Sequence, residues 1–340
     1  MKPVRWAGIA ALLTSLLFVG CSSEPAGNSP ATNEPANNTA TTEPGPGKAE
    51  KPLTIGFSQV GAESGWRTAN TKSIQEAAAE RGHTLKFSDA QGKQENQIKA
   101  IRSFIAQGVD VIAFSPIVET GWEQVLKEAK DAGIPVIVSD RRPDVPEDLY
   151  VTFIGSDFIK EGEMAAEWML KNVKGPVKIA ELTGTTGSAP ANDRAEGFRN
   201  IIEGNADYQI VFSQTGNFER AKGKEVTEAL LKSAAGQDIK VIFAHNDDMA
   251  LGAIQAIEAA GKVPGKDIII ISIDAIGDAF QAMVDGKLNC SVECNPLLGP
   301  MIMEAAEKVI AGETLPKRTV VEDRLFDTTN AAAEMPNRRY

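Results

Sequence analysis

Short apolar runs alternate with longer amphipathic runs from Pro52 onward, and this alternation limits the folds available to the chain. The first two pairs are "LTIGFSQV" with "GWRTANTKSIQEAAAERG" and "TLKFSDA" with "QENQIKAIRSFIAQG". In the last of these runs Ile98, Ile101 and Ile105 recur at the spacing of one helix face, and Gly108 stands where that helix would end. Apolar strands that alternate with helices indicate a parallel sheet covered on both faces.

The alternating unit starts again after a break near residue 156. The first series continues through "VDVIAFSP", "GWEQVLKEAKDAG" and "IPVIVSDR", and the second runs from "EGEMAAEWMLKNVKG" to "DIIIISID". The sequence therefore predicts an α/β protein with two doubly wound, Rossmann-like parallel-sheet domains. Open α/β sheets bind ligands outside the carboxyl ends of their strands, so we expect a ligand cleft between the two halves.

The first 20 residues have the features of an export signal. Lys2 and Arg5 precede an apolar run from Trp6 to Val19, which is too short to span a bilayer comfortably. The end of this run, "LLFVGC", resembles a bacterial lipoprotein signal, in which cleavage leaves Cys21 to carry lipid, although Phe18 stands where leucine is usual. The alternative is an ordinary secretory peptide with an incidental cysteine.

Residues 22–50 consist almost entirely of Ser, Pro, Ala, Asn, Thr, Gly and Glu. Such a composition buries too little apolar surface to order itself. We therefore interpret residues 21–51 as a lipidated cysteine followed by a disordered tether with a reach of about 30 Å.

The formal net charge is −11 and becomes −13 when Lys2 and Arg5 leave with the signal. An acidic surface argues against nucleic acid as a partner, because neutralising phosphates supplies most of that affinity. No later run approaches 18 apolar residues, so no transmembrane helix is expected.

Cys290 and Cys294 lie in "LNCSVECNP", whose alternation around Val292 predicts a strand. Four extended steps separate them by roughly 13 Å, beyond the limit of about 7 Å for a disulfide, so a bridge would need a local turn. With no histidine nearby and no paired CxxC motif, a zinc site has little support, and no cofactor is expected.

Several motifs together resemble the ribose- and galactose-type sugar-binding proteins of ABC importers, and most closely the galactofuranose-binding branch. The resemblance covers the chain from Pro52 to its C-terminus. The motifs are "IGFSQVGAESGW", "KQENQIKAIRSFIAQGVD", "GWEQVLKEAKDAGIPV", "SDR", "FERAKGKEV", "AHNDDMALGAIQAI" and "SID".

The resemblance implies a type I periplasmic binding protein, whose chain crosses between its lobes three times. We place these crossings near Gly155, Cys294 and Val321. The N-terminal lobe would then comprise 52–155 with 295–320, and the C-terminal lobe 156–294 with 321–340.

Polar side chains at the ends of predicted strands are the candidate ligand contacts, because sugar hydroxyls need both donors and acceptors. Asp140 and Arg141 follow "IPVIV" and Ser139, where the family has a DR pair that grips the sugar hydroxyls. The alternative for such a dipeptide is a solvated surface ion pair.

In the second half the resemblance assigns ligand contacts to Arg194, Asn246 and Asp274. We expect Asp247 to cap the helix that follows Asn246, and Asp248 to interact with its macrodipole.

Trp66 and Arg67 stand where the family places a ligand aromatic and its polar neighbours, with Ser58 and Gln59 at the end of the first strand. A core tryptophan is the alternative for Trp66. Phe218 is the candidate for the second sugar face, with a core phenylalanine as its alternative.

Glu293 is a further candidate contact near the second crossing. The register of its strand decides whether Glu293 or Cys294 faces the cleft, and we expect the carboxylate.

These features predict a monomeric, extracytoplasmic, lipid-anchored solute-binding protein that delivers a galactofuranose-like monosaccharide to an ABC permease. The membrane would be reached through the lipid anchor only. The alternative is a sensor that presents sugar to a chemoreceptor or histidine kinase.

Sugar-responsive repressors share the core, but an export signal and tether occupy the place of their DNA-binding domain. A glycosidase using Asp140 and Glu293 lacks the expected catalytic motifs, so no enzyme activity is expected.

Overall fold

The structure is a computed structural model, and it describes residues 51–340. The predicted signal peptide, Cys21 and the tether up to residue 50 lie outside the described residues. The strands are β1 Thr54–Gln59, β2 Thr84–Asp89, β3 Val111–Phe114, β4 Val136–Ser139, β5 Thr152–Ser156, β6 Val177–Thr183, β7 Tyr208–Thr215, β8 Ile239–Ala244, β9 Ile269–Asp274, β10 Cys290–Glu293, β11 Arg318–Val321 and β12 Leu325–Asp327. The helices are α1 Gly65–Glu80, α2 Gln94–Gln107, α3 Glu123–Asp131, α4 Phe158–Asn172, α5 Ala189–Ile202, α6 Arg220–Lys232, α7 Asp247–Ala259, α8 Gly277–Val284, α9 Gly299–Ile310 and α10 Ala331–Glu334.

The strands form two six-stranded sheets, one in each lobe. The first has the order β11-β5-β4-β3-β1-β2 and is parallel throughout. The second has the order β12-β10-β9-β8-β6-β7 and is parallel except at its edge, where β12 runs antiparallel to β10. The predicted fold class of two doubly wound parallel-sheet domains is confirmed.

The chain passes between the sheets at three places. The chain leaves the first sheet after β5, which ends at Ser156, and it returns to the first lobe after β10, which ends at Glu293. The third passage follows β11, which ends at Val321, and leads to β12. The carboxyl ends of the parallel strands of both sheets thus meet near these passages.

Buried apolar residues fill each lobe, and Trp66 of the first lobe joins the apolar cluster of the second. In the first lobe Trp122 is fully buried and its ring centroid lies 5.1 Å from that of Phe114. Gly108 adopts φ 61° and ends α2 in the left-handed conformation, which glycine tolerates without steric cost.

Two glycines allow α4 and α5 to pack closely. A Cβ at Gly197 would lie 2.0 Å from the carbonyl oxygen of Ile159, and one at Gly162 would lie 2.3 Å from the carbonyl oxygen of Arg194. Only glycine fits at both contacts, and this close approach fixes the position of Arg194 at the inter-lobe surface.

Among residues 51–340, no helix combines the length and the apolar character required to cross a membrane. Cys290 and Cys294 are both free and buried.

Candidate ligand-binding site between the lobes

A narrow cavity lies between the carboxyl ends of the two sheets, with about 290 Å³ of space, part of it open to solvent. Eight of the eleven residues predicted to contact ligand line it: Trp66, Arg67, Asp140, Arg141, Arg194, Phe218, Asn246 and Asp274. Glu63, Ser64, Pro190 and Cys294 complete the lining. A larger open groove along α5 and β7 contains none of the eleven.

An ion-pair cluster forms the wall contributed by the first lobe. Arg67 Nη1 lies 2.7 Å from Asp140 Oδ2, and Arg67 Nε donates to Glu63 Oε1 at 3.1 Å. The Nη2 of Arg141 donates to the same Glu63 oxygen at 3.3 Å. Two carboxylates thus hold two guanidinium groups side by side, which presents both donors and acceptors to a ligand.

The local backbone explains why this cluster forms at the cavity. Asp140 follows β4 with φ 62°, and its carboxylate also accepts a hydrogen bond from Ser115 Oγ at 3.0 Å. Ser64 caps α1, its Oγ accepting from the backbone N–H of Arg67 at 3.1 Å. These contacts hold Asp140 in a strained turn and Arg67 in the first turn of α1. Ligand binding therefore costs little conformational entropy at these two side chains.

The aromatic side chains form the apolar part of the wall. The Trp66 indole N–H donates to the carbonyl oxygen of Cys294 at 2.6 Å, and the Arg67 guanidinium lies 4.6 Å from the Trp66 ring centroid. Phe218 adopts φ 65° and lies under the guanidinium of Arg141, 5.2 Å from its ring centroid. A Cβ at Gly184 would lie 1.8 Å from Phe218, so this ring needs a glycine beside it.

The second lobe contributes Arg194, Asn246 and Asp274. Arg194 Nε donates to Glu161 Oε2 at 2.6 Å, and its Nη1 donates to the carbonyl oxygen of His245 at 2.6 Å. Its Nη2 lies 3.9 Å from Asp274 Oδ1. Asn246 Nδ2 donates to the carbonyl oxygen of Phe218 at 3.1 Å.

Burial shifts the pKa values of several of these groups. Burial raises the pKa of Asp274 well above its ordinary value, although the neighbouring Arg194 opposes the shift. Burial acts to lower the pKa of Arg194, but pairing with Glu161 outweighs it and raises the pKa. Burial and the adjacent Arg67 lower the pKa of Arg141 to about 10. The cavity thus holds guanidinium and carboxyl groups that have little water to solvate them.

Three predicted contacts do not line the cavity. Ser58 is fully buried in β1. Gln59 lies one position further and supports the site indirectly, because its Oε1 accepts from Arg67 Nη1 at 3.3 Å. Glu293 turns toward the C-terminal segment, where its Oε1 accepts from Arg338 Nη1 at 2.8 Å.

The prediction that Glu293 rather than Cys294 faces the cleft is therefore wrong. Side chains alternate sides along an extended strand, and this register directs Glu293 to Arg338 and places Cys294 at the cavity. The carboxylate is satisfied by a cation more than forty positions further along the chain, which local sequence does not reveal.

The predicted cap of α7 is also wrong. Asn246 caps this helix, its Oδ1 accepting from the backbone N–H of Met249 at 3.0 Å. Asp247 instead accepts from Ser272 and Ser291 Oγ at 2.5 and 2.7 Å. Burial raises the pKa of Asp247 to about 7.

The sequence predictions missed Glu63, which lines the cavity, and Glu161, which pairs with Arg194 behind it. Glu63 precedes Arg67 by four positions, the spacing of an intrahelical ion pair, and this was a usable signal. Glu161 had no such local signal, because its partner Arg194 lies on another helix.

The rims of the two lobes are in direct contact on either side of the cavity. On one side Gly65 N–H donates to Asp248 Oδ2 at 2.7 Å. On the other, Glu119 N–H donates to the carbonyl oxygen of Gly187 at 2.9 Å, and Arg142 Nη2 lies 3.0 Å from Asp193 Oδ2. The described conformation is therefore closed around the cavity.

Comparisons with known proteins agree with this architecture. Residues 55–314 match the periplasmic binding protein domain family. The chain is 48% identical over 292 residues to the galactofuranose-binding protein YtfQ of Escherichia coli strain K12, covering 85% of this chain and 92% of that protein.

Two solved structures are similar over nearly the same region. A Mycobacterium smegmatis protein in complex with β-D-fucofuranose is 59% identical, with a TM-score of 0.82, and the match covers 85% of this chain and 95% of that one. The periplasmic binding protein component of the arabinose ABC transporter from Shewanella sp. ANA-3, bound to α- and β-L-arabinofuranose, is 50% identical. Its TM-score is 0.82, with 84% of this chain and 95% of that one covered.

Proposed function

The chain belongs to the periplasmic binding protein family, and from this premise we propose that it captures galactofuranose, or a closely similar furanose, for an ABC importer. The family consists of solute-binding proteins, not enzymes, and the relatives of this chain include sugar-binding components of ABC importers. Three similar proteins support a furanose ring in the proposed ligand. One is named for galactofuranose, and the other two were solved with fucofuranose and arabinofuranose.

One observation carries the proposal: the cavity combines two guanidinium–carboxylate clusters, one from each lobe, with two aromatic side chains. Arg67 with Asp140, and Arg194 with Asp274, provide donors and acceptors on opposite sides. Trp66 and Phe218 provide apolar faces for sugar C–H groups. A ligand with hydroxyls around its whole edge matches this arrangement better than an apolar or singly charged one.

Closure follows from this distribution of contacts. A sugar that touches both lobes has a higher affinity for the closed conformation than for an open one, and so it shifts the population toward closure. Hinge closure around ligand is a general mode of motion for which periplasmic binding proteins serve as a standard example. The closed form would then be the species that docks on the permease.

We further propose that the protein is exported and anchored through a lipid on Cys21. The support comes from the sequence, in which "LLFVGC" is followed by a polar tether. Mass spectrometry of the membrane fraction should find a diacylglycerol-modified N-terminal peptide beginning at Cys21. An unmodified mature N-terminus elsewhere would contradict the anchor and leave the sugar proposal intact.

Isothermal titration calorimetry tests the ligand. We expect galactofuranose to bind at least tenfold more tightly than galactopyranose, ribose or fructose. A clear preference for a hexopyranose would overturn the furanose assignment. Absence of heat with every sugar would overturn the function itself.

A further inference from the structure

A second cavity shares Glu63 with the first and is also lined by residues of both lobes. Its first-lobe side comes from the segments after β1 and β2, including Gly61 and Gln91. Its second-lobe side comes from Thr185, Asn217 and the start of α6. It contains about 1160 Å³ of space, part of it open to solvent, compared with about 290 Å³ for the inner cavity on the same measure. We call it the vestibule.

The vestibule lies between the two rim contacts, so closure of the lobes leaves it open. At one end Arg220 lines it and also donates to Asp248 at 2.8 Å, the residue that contacts Gly65. At the other end, Ile117 and Thr185 line it two positions before Glu119 and Gly187, which form the opposite contact. In this closed conformation the vestibule remains partly open to solvent and borders the inner cavity at Glu63.

Glu63 is the residue shared by both cavities. Its Oε1 is occupied by Arg67 and Arg141 on the inner side. Its Oε2 is buried and has no hydrogen-bond partner among the described residues. A Cβ built on Gly61, which lines the vestibule, would lie 3.4 Å from Oε2. A buried carboxylate oxygen without a donor is costly, so this boundary suits a ligand hydroxyl.

The charges in the vestibule restrict the chemistry of what it accepts. Glu219 contributes negative charge, whereas the Glu63 carboxylate is paired with Arg67 and Arg141. The cation there, Arg220, is already engaged, because its Nε donates to Asp248 and its Nη2 donates to Asp278 at 2.9 Å. The other polar lining groups are uncharged, among them Asn217, Thr185 and Gln91. A phosphate or uronate would be repelled by Glu219 and would find Arg220 already paired, whereas a neutral hydroxylated group would find hydrogen-bonding partners.

We propose that the vestibule is a subsite for a second, uncharged sugar unit, linked to the furanose that occupies the inner cavity. The protein would then capture short neutral glycosides as well as the free monosaccharide. This proposal rests on the proposed function, since it requires a sugar in the inner cavity. Glu63 marks the boundary, so the linkage lies at the ring carbon or exocyclic carbon that faces it.

Calorimetry with matched ligands tests the subsite. The ligands are free galactofuranose and five disaccharides in which galactofuranose carries a neutral sugar at C1, C2, C3, C5 or C6. We expect at least one disaccharide to bind wild-type protein within tenfold of the monosaccharide affinity.

Two variants fill the vestibule without touching the inner cavity. Ala62→Trp and Ala221→Trp each place a large side chain at an exposed lining position, one on each lobe. Each should weaken disaccharide binding by more than tenfold while changing monosaccharide affinity by less than threefold. Ala132→Trp, at an exposed position on the end of α3, is the matched control and should change neither affinity.

The outcomes separate the two levels of the proposal. Wild-type protein that binds galactofuranose but none of the disaccharides overturns the subsite and leaves the proposed function standing. Disaccharide binding that both vestibule variants leave unchanged also overturns it. Failure to bind any monosaccharide overturns the proposed function and removes the premise of the subsite.

Discussion

The indole N–H of Trp66 donates a 2.6 Å hydrogen bond to the carbonyl oxygen of Cys294, and this joins the first turn of α1 to the second passage between the lobes. Trp66 belongs by sequence to the first lobe, yet it packs within the apolar cluster of the second. One side chain thus lines the cavity, contacts the opposite lobe and is fixed to the connecting segment.

Trp66→Ala should weaken galactofuranose binding by more than tenfold, because it removes both an apolar sugar face and the tie to Cys294. Trp66→Phe keeps the apolar face and loses only the hydrogen bond, so its loss should be smaller, about threefold. Calorimetry on both variants checks the order. An affinity for Trp66→Ala equal to that of wild type would show that this ring is not a ligand wall.

Asp140→Ala and Asp274→Ala should each weaken sugar binding by more than tenfold, since they remove acceptors contributed by opposite lobes. The first lobe should remain folded in Asp140→Ala, because Arg67 keeps its contact with Glu63. Asp144→Ala, an exposed carboxylate close to Asp140 in sequence, is the control and should bind like wild type. Unchanged affinity in either test variant, with an unchanged melting temperature, would reject that residue as a ligand contact.

The Arg142–Asp193 ion pair should slow ligand release. Its 3.0 Å contact joins the lobes only when they are closed, but Arg142 is 39% exposed, so its contribution is expected to be at most about 1 kcal/mol. Arg142→Ala and Asp193→Ala should each raise the dissociation rate about two- to fivefold. The double variant should be no faster than the single ones, and added salt should reduce the differences. Stopped-flow fluorescence measures these rates, and fully additive effects would contradict a direct coupling.

Acid should destabilise the second lobe through Glu181. Burial acts to raise the pKa of this carboxyl, but His245, Ser213 and Arg199 outweigh burial and lower it to about 2 from 4.5. A lowered pKa gives stability that is present above pH 4.5 and is lost as the pH falls toward 2. This shift corresponds to about 2–3 kcal/mol after allowance for the partly exposed Arg199.

His245 also makes the second lobe less stable as the pH falls. Burial lowers the pKa of its imidazole, so the unfolded chain takes up a proton first as the pH falls below 6.5. Glu181→Gln should therefore lower the free energy of unfolding at pH 7 and flatten its decline below pH 4.5. Glu196→Gln, at an exposed position on α5, is the control. Parallel pH profiles for wild type and Glu181→Gln in urea unfolding would contradict this role.

The sequence predicted the cavity residues best where they follow apolar strands. Asp140 and Asp274 come directly after strand patterns, and the carboxyl ends of parallel strands meet at one edge, so their convergence followed from the fold class. Asn246 also follows a strand, because β8 ends at Ala244. The resemblance to a known family supplied Arg194, which lies on α5 and has no such local signal.

The errors arose where long-range pairing decided the outcome. Glu293 is drawn away from the cavity by Arg338, and Asp247 by hydroxyls on β9 and β10. Neither partner is near in sequence. The three-residue strand β12 is too short to show a periodic pattern, and it exists because β10 offers it an edge.

Small-angle X-ray scattering with and without galactofuranose tests most directly whether the two lobes close around a sugar. At saturating ligand, confirmed by calorimetry, the radius of gyration should fall and the curve should match the closed structure with its Gly65–Asp248 and Arg142–Asp193 contacts. A curve that stays the same at saturation, with a shape more open than this structure, would contradict the account.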